Sequence, residues 1–257
     1  MPLKIVSVQA RSPAAKAGIK KGDTILGINS MPVNDFFDLQ YYSNDYQLSF
    51  ELLDPEGNLR IATLHRQPGR SLGIEPESHT LSRCQNNCVF CFIDQMPPGL
   101  RKSLYVKDDD YLYSYVFGNY ITLNNLEQAD FERIIAQRIS PLYISVHTTD
   151  NALRRKMMRH KAEFDILASL RLLAENGISY HLQIVCVPGY NCGRQLQKTL
   201  ADLLDGSLST LSIGVVPVGL TKFRDALVPL EPFDARLAGE TLSIIESSRQ
   251  TRDTVQA

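Results

Sequence analysis

From about His79 to Glu246 the chain alternates short apolar runs with longer amphipathic ones, and this rhythm limits the folds open to it more than any other feature. Tyr120 to Leu123 reads as a strand, Leu126 to Arg138 as a helix, Leu142 to Val146 as a strand, Asp165 to Asn176 as a helix ended by Gly177, and Leu182 to Val187 as a strand. Arg194 to Leu204 continues as a helix, Leu211 to Val216 as an apolar strand, and Phe233 to Glu246 as a last helix with Leu237, Leu242 and Ile245 inward. One further strand ahead of Cys84 would make five. Short apolar strands bracketed by helices call for a parallel sheet covered on both faces, open or curled into a barrel. Ser247 to Ala257 is a polar tail expected to fray.

The first seventy or so residues have a different rhythm. Ile5, Val6 and Val8 begin a strand, Thr24 to Ile28 form a second after the Gly22-Asp23 turn, and Leu48 to Leu53 and Leu59 to Leu64 flank the turn Asp54-Pro55-Glu56-Gly57-Asn58. Asn34 is placed to cap a helix through Phe36, Phe37, Leu39 and Gln40. The run Ser12-Pro13-Ala14-Ala15-Lys16-Ala17-Gly18-Ile19-Lys20-Lys21-Gly22-Asp23-Thr24-Ile25-Leu26-Gly27-Ile28-Asn29 resembles a PDZ module. Such modules carry a carboxylate-binding Gly-Leu-Gly-Phe loop ahead of this run, where only Met1 to Val8 stand here. Two readings follow. In a circularly permuted arrangement Arg70-Ser71-Leu72-Gly73-Ile74 supplies the loop and an edge strand after the last hairpin, making Leu72, Gly73 and Ile74 peptide-binding candidates; otherwise Pro68-Gly69-Arg70 is a linker. A groove of this kind takes an extended peptide or a protein C-terminus by strand addition. It can equally dock onto the rest of the chain.

At 257 residues the length fits about two domains. Lys and Arg number 27 against 28 Asp and Glu, so no global field draws the chain to nucleic acid or anionic lipid. The basic stretch Arg154-Arg155-Lys156-Met157-Met158-Arg159-His160-Lys161 reads as a solvated helix face, with RNA binding as the weaker alternative, and Lys107-Asp108-Asp109-Asp110 reads as a surface turn. No apolar stretch approaches the roughly 18 residues of a membrane span, and the start shows no signal-peptide pattern. A cytoplasmic protein with reduced thiols and no membrane span is therefore expected.

Three of the five cysteines fall within eight residues, Cys84-Gln85-Asn86-Asn87-Cys88-Val89-Phe90-Cys91, while Cys186 and Cys192 stand apart. Three thiolates in one loop can each take a corner of a cubane iron–sulfur cluster. No fourth ligand lies nearby, and an iron lacking a protein ligand is open to a small molecule. A structural zinc site is the alternative. It needs four ligands, so His79 or the pair Cys186 and Cys192 would complete it, and neither spacing is a familiar knuckle.

The spacing Cys-x3-Cys-x2-Cys, with Phe90 just before the last cysteine, resembles the signature of the radical S-adenosylmethionine superfamily. The resemblance implies a four-iron four-sulfur cluster on Cys84, Cys88 and Cys91. Its open iron would be chelated by the amino and carboxylate groups of S-adenosylmethionine, and its reduction would cleave the sulfonium to a 5'-deoxyadenosyl radical. The second-strand loop of that superfamily reads Gly-Gly-Glu and contacts the cofactor's amino group. Here Thr122-Leu123-Asn124-Asn125 stands in its place, leaving Thr122, Asn124 and Asn125 to offer carbonyl and side-chain acceptors. Ile144-Ser145-Val146-His147 resembles the Ser-Leu-His stretch of the nucleic-acid-methylating members, which makes Ser145 and His147 ribose-side candidates; for His147 an imidazole satisfied by local backbone is the other reading. Ile184 to Gly189 and Val215 to Pro217 resemble the segments flanking the adenine, and Phe90 and Gly189 complete the cofactor-binding set.

The strongest pieces, Ser82 to Pro97, Gly118 to Leu123 and Val216 to Lys222, resemble a bacterial group of iron–sulfur proteins in which a PDZ-like module precedes a radical S-adenosylmethionine domain and a C-terminal domain of unknown function. That C-terminal domain and a sixth strand have no counterpart here, so a truncated or partner-completed barrel is expected. The fold expected is α/β: a PDZ-like domain at 1–78, a partial parallel (βα) barrel of radical S-adenosylmethionine type at 79–250 and a frayed tail at 251–257. The resemblance implies an oxidoreductase or transferase that takes its electron from a donor such as ferredoxin or flavodoxin. The alternative is a PDZ-type peptide-binding protein with a structural iron–sulfur or zinc site.

Overall fold

The computed structural model describes residues 2–66 and 69–255, the last six by their backbone alone. The chain divides into two compact units, Met1–Thr80 and Leu81–Ala257.

The first unit is built on a six-stranded antiparallel sheet. Its strands are β1 (Leu3–Val8), β2 (Thr24–Ile28), β3 (Met31–Pro32), β4 (Gln47–Leu53), β5 (Leu59–His65) and β6 (Ile74–Pro76), in the order β5-β4-β2-β1-β6 with β3 beside β2. Period-two alternation turns Leu3, Ile5, Ile25, Leu48, Phe50, Leu52, Ala62 and Leu64 into one core. The short helix α1 (Pro13–Lys16) starts where Ser12 accepts the Ala15 N–H at 3.1 Å. Helix α2 (Phe36–Tyr42) is capped by Asp35, which accepts from the Phe37 and Asp38 N–H groups at 2.9 and 3.0 Å. Asn34, the expected cap, sits one residue early and instead donates its backbone N–H to the Asp38 carboxylate at 2.9 Å.

After the last hairpin the chain contributes a strand: β6 runs antiparallel to β1 at the edge of the sheet, with Val8 opposite Ile74 and Ser7 opposite Glu75. Pro68 lies outside the described residues. Gly73 has φ of +77°, and a Cβ there would stand 2.3 Å from that of Ser12, so this turn admits no side chain. Its carbonyl accepts from Gln9 at 2.8 Å, the Leu72 carbonyl accepts from Ala14 at 3.1 Å, and the Leu72 and Ile74 side chains pack against the core.

The second unit carries a three-stranded parallel sheet in the order β7 (Leu142–Ser145), β8 (Tyr180–Cys186), β9 (Thr210–Pro217). Helices α3 (Tyr111–Phe117), α4 (Gln128–Ala136), α5 (Asn151–Met158), α6 (Ile166–Glu175), α7 (Arg194–Leu203) and α8 (Ala235–Val255) accompany it. Two expected strands do not form among the described residues, and no barrel closes. Tyr120 to Leu123 shrinks to one parallel bridge between Ile121 and Ile144. The ladder stops because Leu123 turns left-handed at φ +62° and the Ser145 carbonyl, which the next rung would use, accepts from Arg154 at 3.1 Å; on the side away from β7, Asp109 takes the N–H and the hydroxyl of Thr122 at 2.6 and 2.5 Å. Ahead of Cys84 the chain pairs with the acidic stretch instead: Arg83 bridges Asp108, the Cys84 N–H donates to the Lys107 carbonyl at 2.9 Å, and the Ser82 N–H donates to Asp110 at 2.9 Å.

Lys107 to Asp110 is consequently no surface turn, since Asp109 and Asp110 are each 2% exposed. Asp110 caps α3 through Leu112 and Tyr113, and Gly118 ends that helix at φ +74°. At the other end, α8 runs to Val255 where a frayed tail is expected from Ser247. Its inner side carries Thr241, so Leu242, about 100° further round, points out at 58% exposure. No helix among the described residues is long and apolar enough to cross a membrane.

Candidate functional site

The cysteine loop is held from behind by backbone. The Asn87 and Val89 N–H groups donate to the carbonyls of Met158 and Met157 at the end of α5, at 3.0 and 2.9 Å, and the Cys91 N–H closes a turn onto the Cys88 carbonyl at 3.0 Å. Val89 and Phe90 point into a core with Met157, Val187 and Val218. Phe90 thus anchors the loop, leaving the flanking thiols of Cys84, Cys88 and Cys91 only partly covered. Beyond Cys91, Gln95 is fully buried and stitches the loop to the segment after β9. Its side chain donates to the Gly219 carbonyl at 2.8 Å and accepts the Thr221 N–H at 3.0 Å, while its carbonyl accepts the Thr221 hydroxyl at 2.7 Å.

Around the thiols lies a buried polar network that sequence reasoning missed. Arg154, read above as part of a solvated face, is 2% exposed. Its Nε donates to the Val146 carbonyl at 3.1 Å, and its Nη2 donates to the carbonyls of Thr122 and Ser145 at 2.8 and 3.1 Å. These bonds draw together the ends of the Ile121 bridge and of β7. The signal was present in the spacing: Arg154, Met157 and Met158 stand at i, i+3 and i+4, on one helix face, and all three are buried. Asp109 faces the same region, and Asn86 donates to Cys84 Sγ at 3.4 Å and to Thr122 Oγ1 at 3.1 Å.

The other candidates lie at or just after the carboxyl ends of the Ile121 bridge, β7 and β8. Thr122 and Asn124 belong to the Asp109 and Arg154 network, so both side chains already have protein partners. Ser145 is buried and gives its carbonyl to Arg154. His147, 4% exposed and left-handed at φ +63°, accepts the Val185 N–H on Nδ1 at 3.2 Å and packs its ring edge-on against Phe90, centroids 4.6 Å apart. Asn191, fully buried, fixes the turn after β8 by accepting from Val187 at 2.7 Å and donating to the carbonyls of His147 and Val185 at 2.7 and 2.9 Å. Gly189 lies in that turn at φ +77°, with open space where a Cβ would be. The buried Cys186 hydrogen-bonds to the half-buried Cys192, which raises the first thiol and lowers the second.

Burial pushes the Cys88 thiol up to about 12, with the neighbouring Cys84 and Cys91 adding to the rise and Arg154 opposing it. Burial likewise raises Cys84, helped by Asp109, and Cys91. The three thiols therefore feel one another, and a cationic centre among them would reverse all three shifts at once. Burial also raises the Asp109 carboxyl against the Thr122 bonds and the Arg154 charge, and holds Arg154 down at about 10.

Residues 66–213 match the family described as Radical SAM-like domain. The chain belongs to that family. Residues 4–44 match the PDZ domain family. Among solved structures, a domain of pyruvate-formate lyase-activating enzyme from Bacteroides vulgatus ATCC 8482 is 14% identical, over 50% of this chain and 75% of that one, with a TM-score of 0.39. A radical SAM methyltransferase from Sphaerobacter thermophilus is 12% identical, over 91% of this chain and 77% of that one, with a TM-score of 0.42. No curated protein matches the sequence.

A radical SAM-like domain implies, in general, a four-iron four-sulfur cluster and S-adenosylmethionine. Among the described residues no three His, Cys, Asp or Glu side chains are placed to hold one metal ion. A cubane asks something different of its protein, one thiolate at each of several irons. Cys84, Cys88 and Cys91 suit that demand in donor type: three free thiols on one loop, with an amide N–H already directed at one of them.

Proposed function

We propose that Cys84, Cys88 and Cys91 hold a four-iron four-sulfur cluster whose remaining iron binds S-adenosylmethionine, and that the chain is a radical enzyme acting on a substrate yet to be identified. The observation carrying this reading is the trio of free, partly covered thiols on one loop within the family match. With one electron from a donor such as ferredoxin or flavodoxin, the bound cluster would supply the cleavage of S-adenosylmethionine to methionine and a 5'-deoxyadenosyl radical. The three parallel strands, with Ile121 bridged to their edge, are read as part of a (βα) barrel wall. Phe90, the Thr122 and Asn124 loop, Ser145, His147 and Gly189 surround the cofactor on this reading.

His147 serves it as a neutral wall. Burial, aided by the Arg154 charge, depresses its pKa to about 3, so the ring carries no charge near neutrality. With Nδ1 accepting from Val185, the single ring proton sits on Nε2. Oxidoreductase and transferase chemistry both follow from such a radical, and a reducing cytoplasm suits the thiols. In the first unit, β6 presents an edge strand to which an extended peptide or protein C-terminus adds, with Leu72, Gly73 and Ile74 forming the start of its cradle.

The full chain, reconstituted with iron and sulfide under anaerobic conditions and given dithionite and S-adenosylmethionine, is expected to release 5'-deoxyadenosine. Cys88→Ala is expected to release none above background and to lose the cluster absorbance. A four-iron wild type that yields no 5'-deoxyadenosine, or a Cys88→Ala variant as productive as wild type, contradicts this function.

A further inference from the structure

Arg154, Asn124, Asn86 and Cys84 are joined by one unbroken run of hydrogen bonds. Arg154 Nη1 donates to Asn124 Oδ1 at 2.5 Å, Asn124 Nδ2 donates to Asn86 Oδ1 at 3.1 Å, and Asn86 Nδ2 donates to Cys84 Sγ at 3.4 Å. The direction of the run is fixed at its inner end. A guanidinium has five N–H groups and no acceptor, so Asn124 must turn its oxygen to Arg154 and its amide to Asn86. Asn86 must then turn its oxygen to Asn124 and its own amide to the sulfur. Every link points its donor toward Cys84.

Two further contacts lock this orientation. The Asn86 amide also donates to Thr122 Oγ1 at 3.1 Å, and the Thr122 hydroxyl passes its proton side to Asp109 Oδ2 at 2.5 Å. Flipping the Asn86 amide would break all three of its contacts at once. The charge at the far end is equally fixed, since three more of the five N–H groups go to the carbonyls of Val146, Thr122 and Ser145, and the guanidinium carbon lies 5.3 Å from the Phe164 ring centroid.

We propose that Arg154, Asn124 and Asn86 are positioning residues that transmit the buried guanidinium charge to the Cys84 sulfur and raise the reduction potential of a cluster held there. This rests on the cluster assignment above. Reduction adds negative charge to a cluster and its thiolates, and a donor aimed at one sulfur bonds more strongly to the reduced form. Amides aligned head to tail polarise one another, so the cation at the start of the run strengthens the last N–H.

The test uses the full chain reconstituted anaerobically as wild type, Asn86→Leu and Asn124→Leu, with midpoint potentials from redox titration followed by electron paramagnetic resonance. Leucine keeps the branching and heavy-atom count of the asparagine side chain and has no hydrogen-bonding group. Both variants are expected to keep a four-iron cluster and to have a reduction equilibrium about tenfold less favourable, a shift of 59 mV to more negative potential for a one-electron couple. Asn124→Leu is the sharper variant because it does not contact a cysteine. Should Asn86→Leu fail to hold iron, Asn124→Leu still decides. An unshifted potential in Asn124→Leu overturns the relay, as does loss of its cluster, which would mark a merely structural role. A wild type that takes up no iron overturns the cluster assignment and the relay together, whereas a four-iron wild type with unshifted variants overturns the relay alone.

Discussion

Arg154→Met is expected to destabilise the second unit by about 3–5 kcal/mol, the range for removing one member of a buried charged network. Methionine fills most of the stem's volume, so the loss falls on polar groups rather than on packing. The carbonyls of Thr122 and Ser145 lose a buried donor and the half-buried Asn124 side chain loses one as well, while the Val146 carbonyl keeps the Thr148 N–H at 2.8 Å. Each such orphaned acceptor costs about 1–3 kcal/mol, partly recovered by relaxation. Asp109 is left to its Thr122 bonds, without the cation that opposes its desolvation. Amide hydrogen exchange on the metal-free chain measures this locally: protection of β7 and β8 should fall by at least a hundredfold, while β4 and β5 of the first unit keep theirs. Unchanged protection across β7 would show that the guanidinium does not tie these strand ends.

The second large effect lies in the acid limb of the stability curve. His147 is neutral when folded, with a pKa of about 3, and takes up a proton near pH 6.5 once unfolded. The sign follows from proton counts. Below pH 6.5 the unfolded state binds the extra proton, so stability is full above that value and is lost as pH falls toward 3, at up to about 1.4 kcal/mol per unit. Over the whole window His147 accounts for roughly 4–5 kcal/mol. Asp165 and Asp202, whose carboxyls are lowered, also lose their contribution on the acid side, so the informative quantity is the difference between wild type and His147→Asn. Asparagine tolerates the left-handed backbone at φ +63° and does not titrate. Urea unfolding of the metal-free chain between pH 7 and 4 should give a clearly shallower slope for His147→Asn. Parallel slopes would mean that the imidazole charges freely in the folded protein.

What the sequence reveals follows from the kind of signal each feature leaves. Local pattern reaches most strands and helices: β7, β8, β9, α6 and α7 lie within two residues of their expected bounds, the strands because they are short apolar runs between turn residues and the helices because their apolar positions recur at 3.6 residues. The cysteine spacing is equally local. Where long-range hydrogen bonds override local preference, the reading fails. Tyr120 to Leu123 has strand composition, yet Leu123 turns left-handed and Arg154, nine residues after Ser145, takes the carbonyl that the next rung would use. Arg154 and Asp109 sit among like charges and read as solvated, although the protein buries one of each sign near the thiols. Neither is legible from charge alone. Asp110 is different: followed by Tyr111-Leu112-Tyr113, it has the position of a helix cap and could have been read as one.

The three thiols of Cys84, Cys88 and Cys91 on one loop carry the functional reading, and a metal and sulfide count tests them most directly. The chain reconstituted without oxygen, desalted and analysed should hold about four iron and four acid-labile sulfide per molecule, the content of one cubane. Colourless protein carrying one zinc and no sulfide would contradict the account and leave a peptide-binding protein with a structural metal.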